Sequence, residues 1–111
     1  MSSVKYRYIQ LFRDVNSERS IIDSDLVKLG EFIRHRASVN KNISYYITTY
    51  MDNDDVNGYI IIAGENEDAV DNEAELVVSY IDSSLTSIFG KILGSPKHFK
   101  NIPLPVARNF S

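Results

Sequence analysis

The residues between Asn53 and Gly58 are spaced like the ligands of a calcium-binding loop. Asn53, Asp55 and Asn57 alternate along the chain, and Gly58 takes the glycine place of the pattern. Alternating oxygen ligands with a glycine allow a short loop to wrap around a hard cation. However, Gly64 stands where such a loop needs a bidentate glutamate. We therefore interpret the segment as the tip of a β-hairpin and expect no bound metal or other cofactor.

Other residues capable of chemistry are too sparse to indicate an enzyme. The two histidines, His35 and His98, form neither a HExxH nor a HxH pair, and the chain contains no cysteine. The five glycines are dispersed, whereas a phosphate-binding loop clusters them so that backbone amides surround the phosphate oxygens. The sequence therefore predicts a protein without catalytic activity that works by non-covalent recognition.

The acidic residues of the central segment are the strongest indication of a binding surface. Residues 51–90 contain ten Asp and Glu residues and no lysine or arginine, whereas the flanking segments are basic. Charges of one sign repel each other unless they face solvent or a complementary surface. We therefore expect a basic protein partner. We assign its contact to acids in a predicted hairpin and in the loop after it: Asp52, Asp54, Asp55, Glu65, Glu67 and Asp68.

Binding of single-stranded nucleic acid is the alternative function that the sequence supports. Bases and aromatic residues alternate near the N-terminus, and further cations follow at the end of a predicted helix. Exposed aromatic rings on a sheet can stack on unpaired bases while cations contact phosphates. The acidic pI of about 5.3 opposes this function. Its residues would be Lys5, Arg7, Tyr8, Arg34, Arg36 and Tyr46.

Length and composition indicate one ordinary domain. The chain has 111 residues, of which 43% are hydrophobic and 24% charged, as expected for a single folded core. The lack of cysteine fits a reducing compartment, and the longest apolar run, residues 59–63, is too short to cross a bilayer. We expect an intracellular protein, cytoplasmic or nuclear, with no membrane contact. Frequent Ile, Asn, Ser and Tyr suggest an AT-rich genome, such as that of a virus.

The first third of the chain predicts a strand followed by a helix. Residues 4–12 alternate between two sides and are rich in aromatic residues, which is typical of a strand. Residues 24–38 predict an amphipathic helix, with Asp23 or Ser24 as its cap. The apolar positions of this helix are Leu26, Leu29, Ile33 and Ala37.

A β-hairpin is predicted in the middle of the chain. Residues 43–50 have the β-branched and aromatic composition of a strand, and residues 59–63 form a short apolar run typical of a buried strand. Asn57 followed by Gly58 suits a type I′ turn between them, although a wider tip remains open.

A second helix is predicted after the hairpin. From Ala74, apolar residues recur at helical spacing as far as Ile92, so we expect one long helix with Asp71 or Asn72 as its cap. The alternative is a strand over residues 76–81 followed by a shorter helix, because short apolar runs fit both structures.

The order of these elements predicts an α+β fold of the ferredoxin-like, split βαβ type. In that arrangement one antiparallel sheet is covered on one face by two helices. Pro103 and Pro105 keep the last segment out of a central strand, since proline cannot donate to the ladder. We expect residues 1–94 to form a single domain. Residues 95–111 would form an extended C-terminal arm packed on that domain or on a partner subunit.

Surplus apolar surface predicts self-association. Leu76, Val77 and Tyr80 give the second helix more apolar surface than one sheet face needs, and the C-terminal arm is also apolar. Such surplus often closes an oligomer interface. We therefore predict a homodimer that serves as an adaptor, assembly subunit or inhibitor and attracts a basic partner electrostatically.

Overall fold

The computed structural model describes residues 4–52 and 55–93, with side chains described for residues 4–48 and 58–93. The elements are β1 (Lys5–Arg13), α1 (Arg19–Val39), β2 (Ile43–Asp52), β3 (Asp55–Gly64), α2 (Glu67–Ser84) and β4 (Ile88–Ile92). The strands form one antiparallel sheet in the order β2-β3-β1-β4. The predicted α+β class, with an antiparallel sheet and two helices, is confirmed. The predicted arm lies outside the described residues.

The core is built on the central strands β1 and β3. Ile9 pairs with Ile60 across the ladder between β1 and β3. Because successive side chains of a strand point to opposite sides, Leu11 lies on the same side of the sheet as Ile9, and Ile62 on the same side as Ile60. Both helices pack on this side. The buried cluster is Ile9, Leu11, Leu29, Ile33, Ile60, Ile62, Val70, Ala74, Val77, Ile81, Leu85 and Ile88.

Helix α1 begins a turn earlier than the sequence predicted. It starts at Arg19 after the N-cap Glu18, which makes no side-chain capping bond. The physical reason for the extra turn is Ile22, which is buried and lengthens the buried stripe toward the N-terminus. The buried positions are Ile22, Asp25, Leu29 and Ile33.

The second helix is shorter and begins earlier than predicted. The side chain of Asn66 caps α2 by accepting a hydrogen bond of 3.0 Å from the backbone N–H of Ala69. Residues 76–81 are helical, so the strand alternative was wrong. The expected continuation to Ile92 was also wrong, because Ile88–Ile92 forms β4. Ile88 and Ile92 are four residues apart, a spacing that places two side chains on one face of a helix or on one side of a strand.

The predicted turn at Asn57 and Gly58 was wrong. Asn57 pairs with Tyr50 and Gly58 with Thr49, so both lie within the ladder between β2 and β3. The last described pair is Asp52 with Asp55. The tip of the hairpin, which includes the first place of the calcium-like pattern, lies outside the described residues.

A buried carboxylate holds the connection between α2 and β4 against α1. Asp25 Oδ2 accepts hydrogen bonds from the backbone N–H groups of Thr86 at 3.0 Å and Ser87 at 2.7 Å, and from the Ser87 hydroxyl at 2.6 Å. Burial raises the pKa of Asp25, but the hydrogen bonds from Ser87 and Thr86 outweigh burial and hold this pKa below its ordinary value. An ionised Asp25 therefore fixes the start of β4.

We expect Asp25→Ala to lower the free energy of unfolding by about 2–4 kcal/mol, because two buried donors of Ser87 and the partly buried N–H of Thr86 lose their acceptor. Asp23→Ala is the matched control: Asp23 is an exposed residue of the same helix, and we expect its loss to change stability by less than about 0.5 kcal/mol. Urea unfolding of both variants measures the difference. Equal stabilities would contradict a structural role for Asp25.

Candidate interaction surfaces

The described acids assigned to a partner belong to segments at the two ends of β3. The backbone of Asp52 and Asp55 is at the hairpin end, and Asp54 lies outside the described residues. Glu65 lies just after the other end of β3. Because β3 runs from residue 55 to residue 64, and a strand rises about 3.4 Å per residue, the two groups are roughly 30 Å apart. The described backbone therefore places Asp52 and Asp55 far from Glu65 along the sheet.

The cluster at the start of α2 continues along that helix. Glu65, Glu67 and Asp68 are exposed, and Glu75 and Asp82 follow Asp68 at intervals of seven residues, also exposed. Seven residues are close to two helical turns, so these side chains lie on one line. We call this set of five acids the α2 acidic surface. Glu75 and Asp82 were not among the acids predicted from the sequence, although their spacing from Asp68 is visible there.

Two cations of the predicted nucleic-acid site are held by carboxylates. Arg7 Nε lies 2.6 Å from Asp71 Oδ1, and its Nη2 lies 3.4 Å from Glu67 Oε1. Arg36 Nε and Nη2 donate to the two carboxylate oxygens of Glu73 at 2.6 and 2.9 Å. These contacts neutralise both guanidinium groups, which reduces their attraction for phosphate.

The remaining residues of the nucleic-acid alternative are divided between the two sides of the sheet. Lys5 lies on the helix-facing side of β1 by strand alternation, and Arg34 is exposed on α1. Tyr8 and Tyr46 lie on the opposite side of the sheet and flank Ile61 in one row across three strands. The structure therefore brings these two tyrosines together and separates them from the cations.

The side of the sheet away from the helices is rich in tyrosine. We call it the tyrosine face and define it by Tyr6, Tyr8, Tyr46, Thr48, Tyr59, Ile61 and Ala63, which alternate with the core residues of β1, β2 and β3. Burial, followed by the nearby Tyr6 and Tyr59, raises the pKa of Tyr8 well above its ordinary value. Tyr8 is therefore a neutral phenol at physiological pH.

A recess of about 810 Å³ opens where the tyrosine face meets the start of α2. Tyr6 and Tyr46 contribute to its lining on the aromatic side, and Glu65 and Asn66 contribute on the polar side. Aromatic ring faces beside a carboxylate suit a cationic group. In the described residues, no group of three or more His, Asp or Glu side chains is placed to hold a metal ion.

A polar network joins the two helices to β2. The carboxylate of Glu73, whose side chain is 6% exposed, receives the guanidinium of Arg36 and the amide of Asn40, the latter at 3.1 Å. The same Asn40 amide donates to the Tyr45 hydroxyl at 3.0 Å. Burial raises the pKa of Glu73, but hydrogen bonds from Arg36 and other neighbours more than offset burial, so this pKa is lowered. No catalytic geometry is needed to explain these contacts.

Comparison with known proteins adds little. No protein-family description matches the chain, and no curated protein matches it. Among solved structures, the de novo designed protein Foldit4 superposes with a TM-score of 0.47 at 13% identity, over 83% of this chain and 97% of the designed one. Within residues 4–52 and 55–93, no helix combines the length and the apolar character needed to cross a membrane.

We expect Glu73→Gln to lower the free energy of unfolding at neutral pH by about 2–3 kcal/mol, because Arg36 loses its buried counter-charge. It should also flatten the acid dependence of stability. The pKa of Glu73 is lower in the folded than in the unfolded chain. The stabilisation of the fold by the ionised Glu73 carboxylate is therefore fully present above about pH 4.3, and it is lost as the pH falls through the pKa of the folded state.

Glu75→Gln is the matched control for this experiment, because Glu75 is an exposed residue of the same helix. Urea unfolding between about pH 3 and pH 7 covers the window set by the ordinary glutamate pKa. Glu75→Gln should follow the wild-type profile. An unchanged profile for Glu73→Gln would show that the Arg36 contact contributes nothing to stability.

Proposed function

We propose that the protein is a non-enzymatic interaction module that binds a basic protein partner through the α2 acidic surface. The observation that carries this proposal is the placement of charge. Helix α2 contains no lysine or arginine, and exposed acids run from Glu65 to Asp82 along it. Such a surface attracts cationic partners over several ångströms and orients their approach.

The start of α2 is the best-supported contact within this surface. Glu67 and Asp68 occupy its first turn, where acids also stabilise the helix by complementing its dipole. Glu65 is different, because it precedes the helix and borders the recess lined by Tyr6 and Tyr46. We propose that a lysine or arginine side chain of the partner enters this recess, between the aromatic rings and the carboxylate.

Single-stranded nucleic acid is the second candidate, favoured by the presence of Tyr46, Tyr59 and Tyr6 on one side of the sheet. Stacking on such rings tolerates any base sequence. Against it, Arg7 and Arg36 are engaged by carboxylates, and the recess at the edge of this face includes Glu65. An acid at that position repels phosphate, which makes a basic protein the better partner.

We also propose the finer fold assignment, a ferredoxin-like sheet. Its support is that β3 lies between β1 and β2, which is the arrangement of a split βαβ unit. The homodimer and the intracellular location stay predictions. Of the residues that suggested the dimer, Val77 is buried and Tyr80 stacks on Phe32 at 3.8 Å between ring centroids. Of these three residues of α2, Leu76 is the most exposed, at 40%.

We expect the triple variant E65Q/E67Q/D68N to weaken capture of the basic partner by roughly tenfold, since exposed ion pairs contribute about 0.2–1 kcal/mol each. The matched variant is D52N/D54N/D55N, which removes the same charge at the hairpin end. Both variants and the wild type are immobilised, exposed to lysate with and without nuclease treatment, and compared by mass spectrometry of the retained proteins at low and moderate salt.

A basic protein that is retained by the wild type and the hairpin variant, and lost from the α2 variant, supports the proposed contact. Equal retention by all three proteins would contradict it. Retention that disappears in every sample on nuclease treatment would instead favour the nucleic-acid function. Circular dichroism of each variant checks that the fold is intact.

A further inference from the structure

Strand β2 lies at an edge of the sheet and lacks the features that normally keep an edge from pairing. In the part of the chain that the structure describes, no strand pairs with its outer side. Edge strands are usually short, or carry lysine, proline or a bulge, because their free backbone groups pair readily with another chain. The opposite edge, β4, follows this rule with five residues and an exposed Lys91. β2 has ten residues, contains no lysine or proline and pairs with β3 without a bulge.

The direction of the backbone groups along β2 follows from the hydrogen bonds of β1. The N–H of Leu93 donates to the carbonyl oxygen of Tyr8 at 2.8 Å, so even-numbered residues of β1 direct their backbone polar groups toward β4 and odd-numbered ones toward β3. The residue pairs of β1 with β3 and of β3 with β2 carry this alternation across the sheet. The odd-numbered residues of β2 therefore direct these groups outward, and Tyr45 and Ile47 are the middle ones.

An apolar side chain at this edge is left partly uncovered. Ile47 is 40% exposed, whereas its partner on β3, Ile60, is fully buried. In a strand added beside β2, the residue directly opposite Ile47 would have its Cβ about 4.5–5.5 Å from the Cβ of Ile47. A further strand would therefore cover Ile47 and satisfy the outward backbone groups at the same time.

The side of α1 that faces away from α2 has room for a second helix. α1 packs beside β2, whereas α2 packs on β1, β3 and β4. Phe32 and Arg36 contact α2, and at roughly 100° per residue Val27 and Gly30 lie on the opposite side of α1. Val27 is 60% exposed, and a Cβ on Gly30 would meet nothing within 4 Å. A glycine inside a helix costs about 1 kcal/mol relative to alanine, but it permits the close approach of another backbone.

Gly30 and Ile47 lie at about the same level of the domain. α1 ends at Val39 and β2 begins at Ile43, so the two elements run in opposite directions from a short connection. Gly30 is separated from the end of α1 by about 13–14 Å of helix, and Ile47 from the start of β2 by about 13 Å of strand. One twofold axis can therefore pass close to both residues.

We propose that the protein forms a homodimer in which the β2 edges of two copies pair antiparallel, with Ile47 at the twofold axis. This pairing joins the two four-stranded sheets into one continuous sheet, and it sets Val27 of one copy beside Gly30 of the other. A twofold interface uses the same surface on both subunits. The outward backbone groups, the exposed Ile47 and the open side of α1 all lie at this axis, which makes a second copy the matching occupant.

The charges of β2 permit this pairing and favour its register. Residues 43–51 carry no charge, so two copies bring no like charges together along the edge. With Ile47 opposite Ile47, odd-numbered residues pair with odd-numbered ones, as the direction of their backbone groups requires. The acidic residue Asp52 then pairs with Asn42 of the second copy, which follows the basic residue Lys41. Residues of opposite charge therefore adjoin at both ends of the paired strands.

The dimer leaves the proposed contact regions accessible. A strand added at an edge lies in the plane of the sheet, whereas the recess opens where the tyrosine face meets the start of α2. α2 itself packs on strands other than β2. Each dimer therefore presents two α2 acidic surfaces, which raises the apparent affinity for a partner with two basic segments. That consequence rests on the proposed function, but the dimer itself does not.

Ile47→Lys and Leu76→Lys, compared by sedimentation equilibrium on the full-length protein, test the proposal. The two wild-type side chains are equally exposed, at 40%, but two lysines at residue 47 would face each other across the axis. We expect the wild type to be a dimer at micromolar concentration and Ile47→Lys to weaken dimerisation by at least roughly tenfold, because apolar contact is lost and like charges meet. Leu76→Lys should dimerise as the wild type does, and circular dichroism checks that both variants fold.

Three results would overturn the proposal. A monomeric wild type excludes the dimer, and an unchanged dimer of Ile47→Lys excludes this edge as its interface. Dissociation by Leu76→Lys alone assigns the interface to α2 instead.

Single-cysteine variants test the same axis without adding a charge. The chain has no cysteine, so Ile47→Cys and Leu76→Cys each introduce one thiol per copy. Residues directly opposite in a hydrogen-bonded antiparallel pair have Cα atoms about 5.5 Å apart, which is within the range of a disulfide. We expect mild oxidation to link Ile47→Cys into a covalent dimer much faster than Leu76→Cys. Equal rates, or no link at residue 47, would contradict an axis at Ile47.

Discussion

The two helices depend on one buried carboxylate for their relative position. The side chain of Glu73, in α2, is buried. An isolated charge in such a position would be very unfavourable. The bidentate contact from Arg36 of α1 and the amide of Asn40 make its burial possible. Because the carboxylate accepts only from donors at fixed places, α1 cannot slide along α2 without leaving a charge unpaired. The stacked rings of Phe32 and Tyr80 support the same alignment.

The arrangement of charge follows from this packing. Acids of α2 that face α1 or β1 pair within the chain: Glu73 binds Arg36, and Asp71 binds Arg7. Glu67, at the edge of the α2 acidic surface, also lies 3.4 Å from Arg7. The acids of α2 that face outward have no cation beside them on the same helix, because α2 contains no lysine or arginine. The result is an exposed surface of α2 that carries acids and no cation of the helix itself. The proposed interaction involves the exposed acids, whereas the buried ones stabilise the packing of the helices.

The sheet has two chemically different sides. The side toward the helices is mainly isoleucine, which packs closely: a Cβ on Gly90 would lie 3.1 Å from side-chain atoms of both Ile81 and Ile9. The other side is mainly tyrosine, whose rings combine apolar area with a polar tip.

The sequence by itself determined the α+β class, the first three strands and the presence of two helices, because alternation and helical spacing are local properties. It also revealed the acidic segment. Tertiary structure decided the rest. Ile88 and Ile92 suit a helix or a strand equally, and only pairing with Arg13 and Ile9 of β1 selects the strand. The burial of Asp25 and Glu73, and the roughly 30 Å between Asp55 and Glu65 along the sheet, depend on contacts between residues far apart in sequence, which no local pattern encodes.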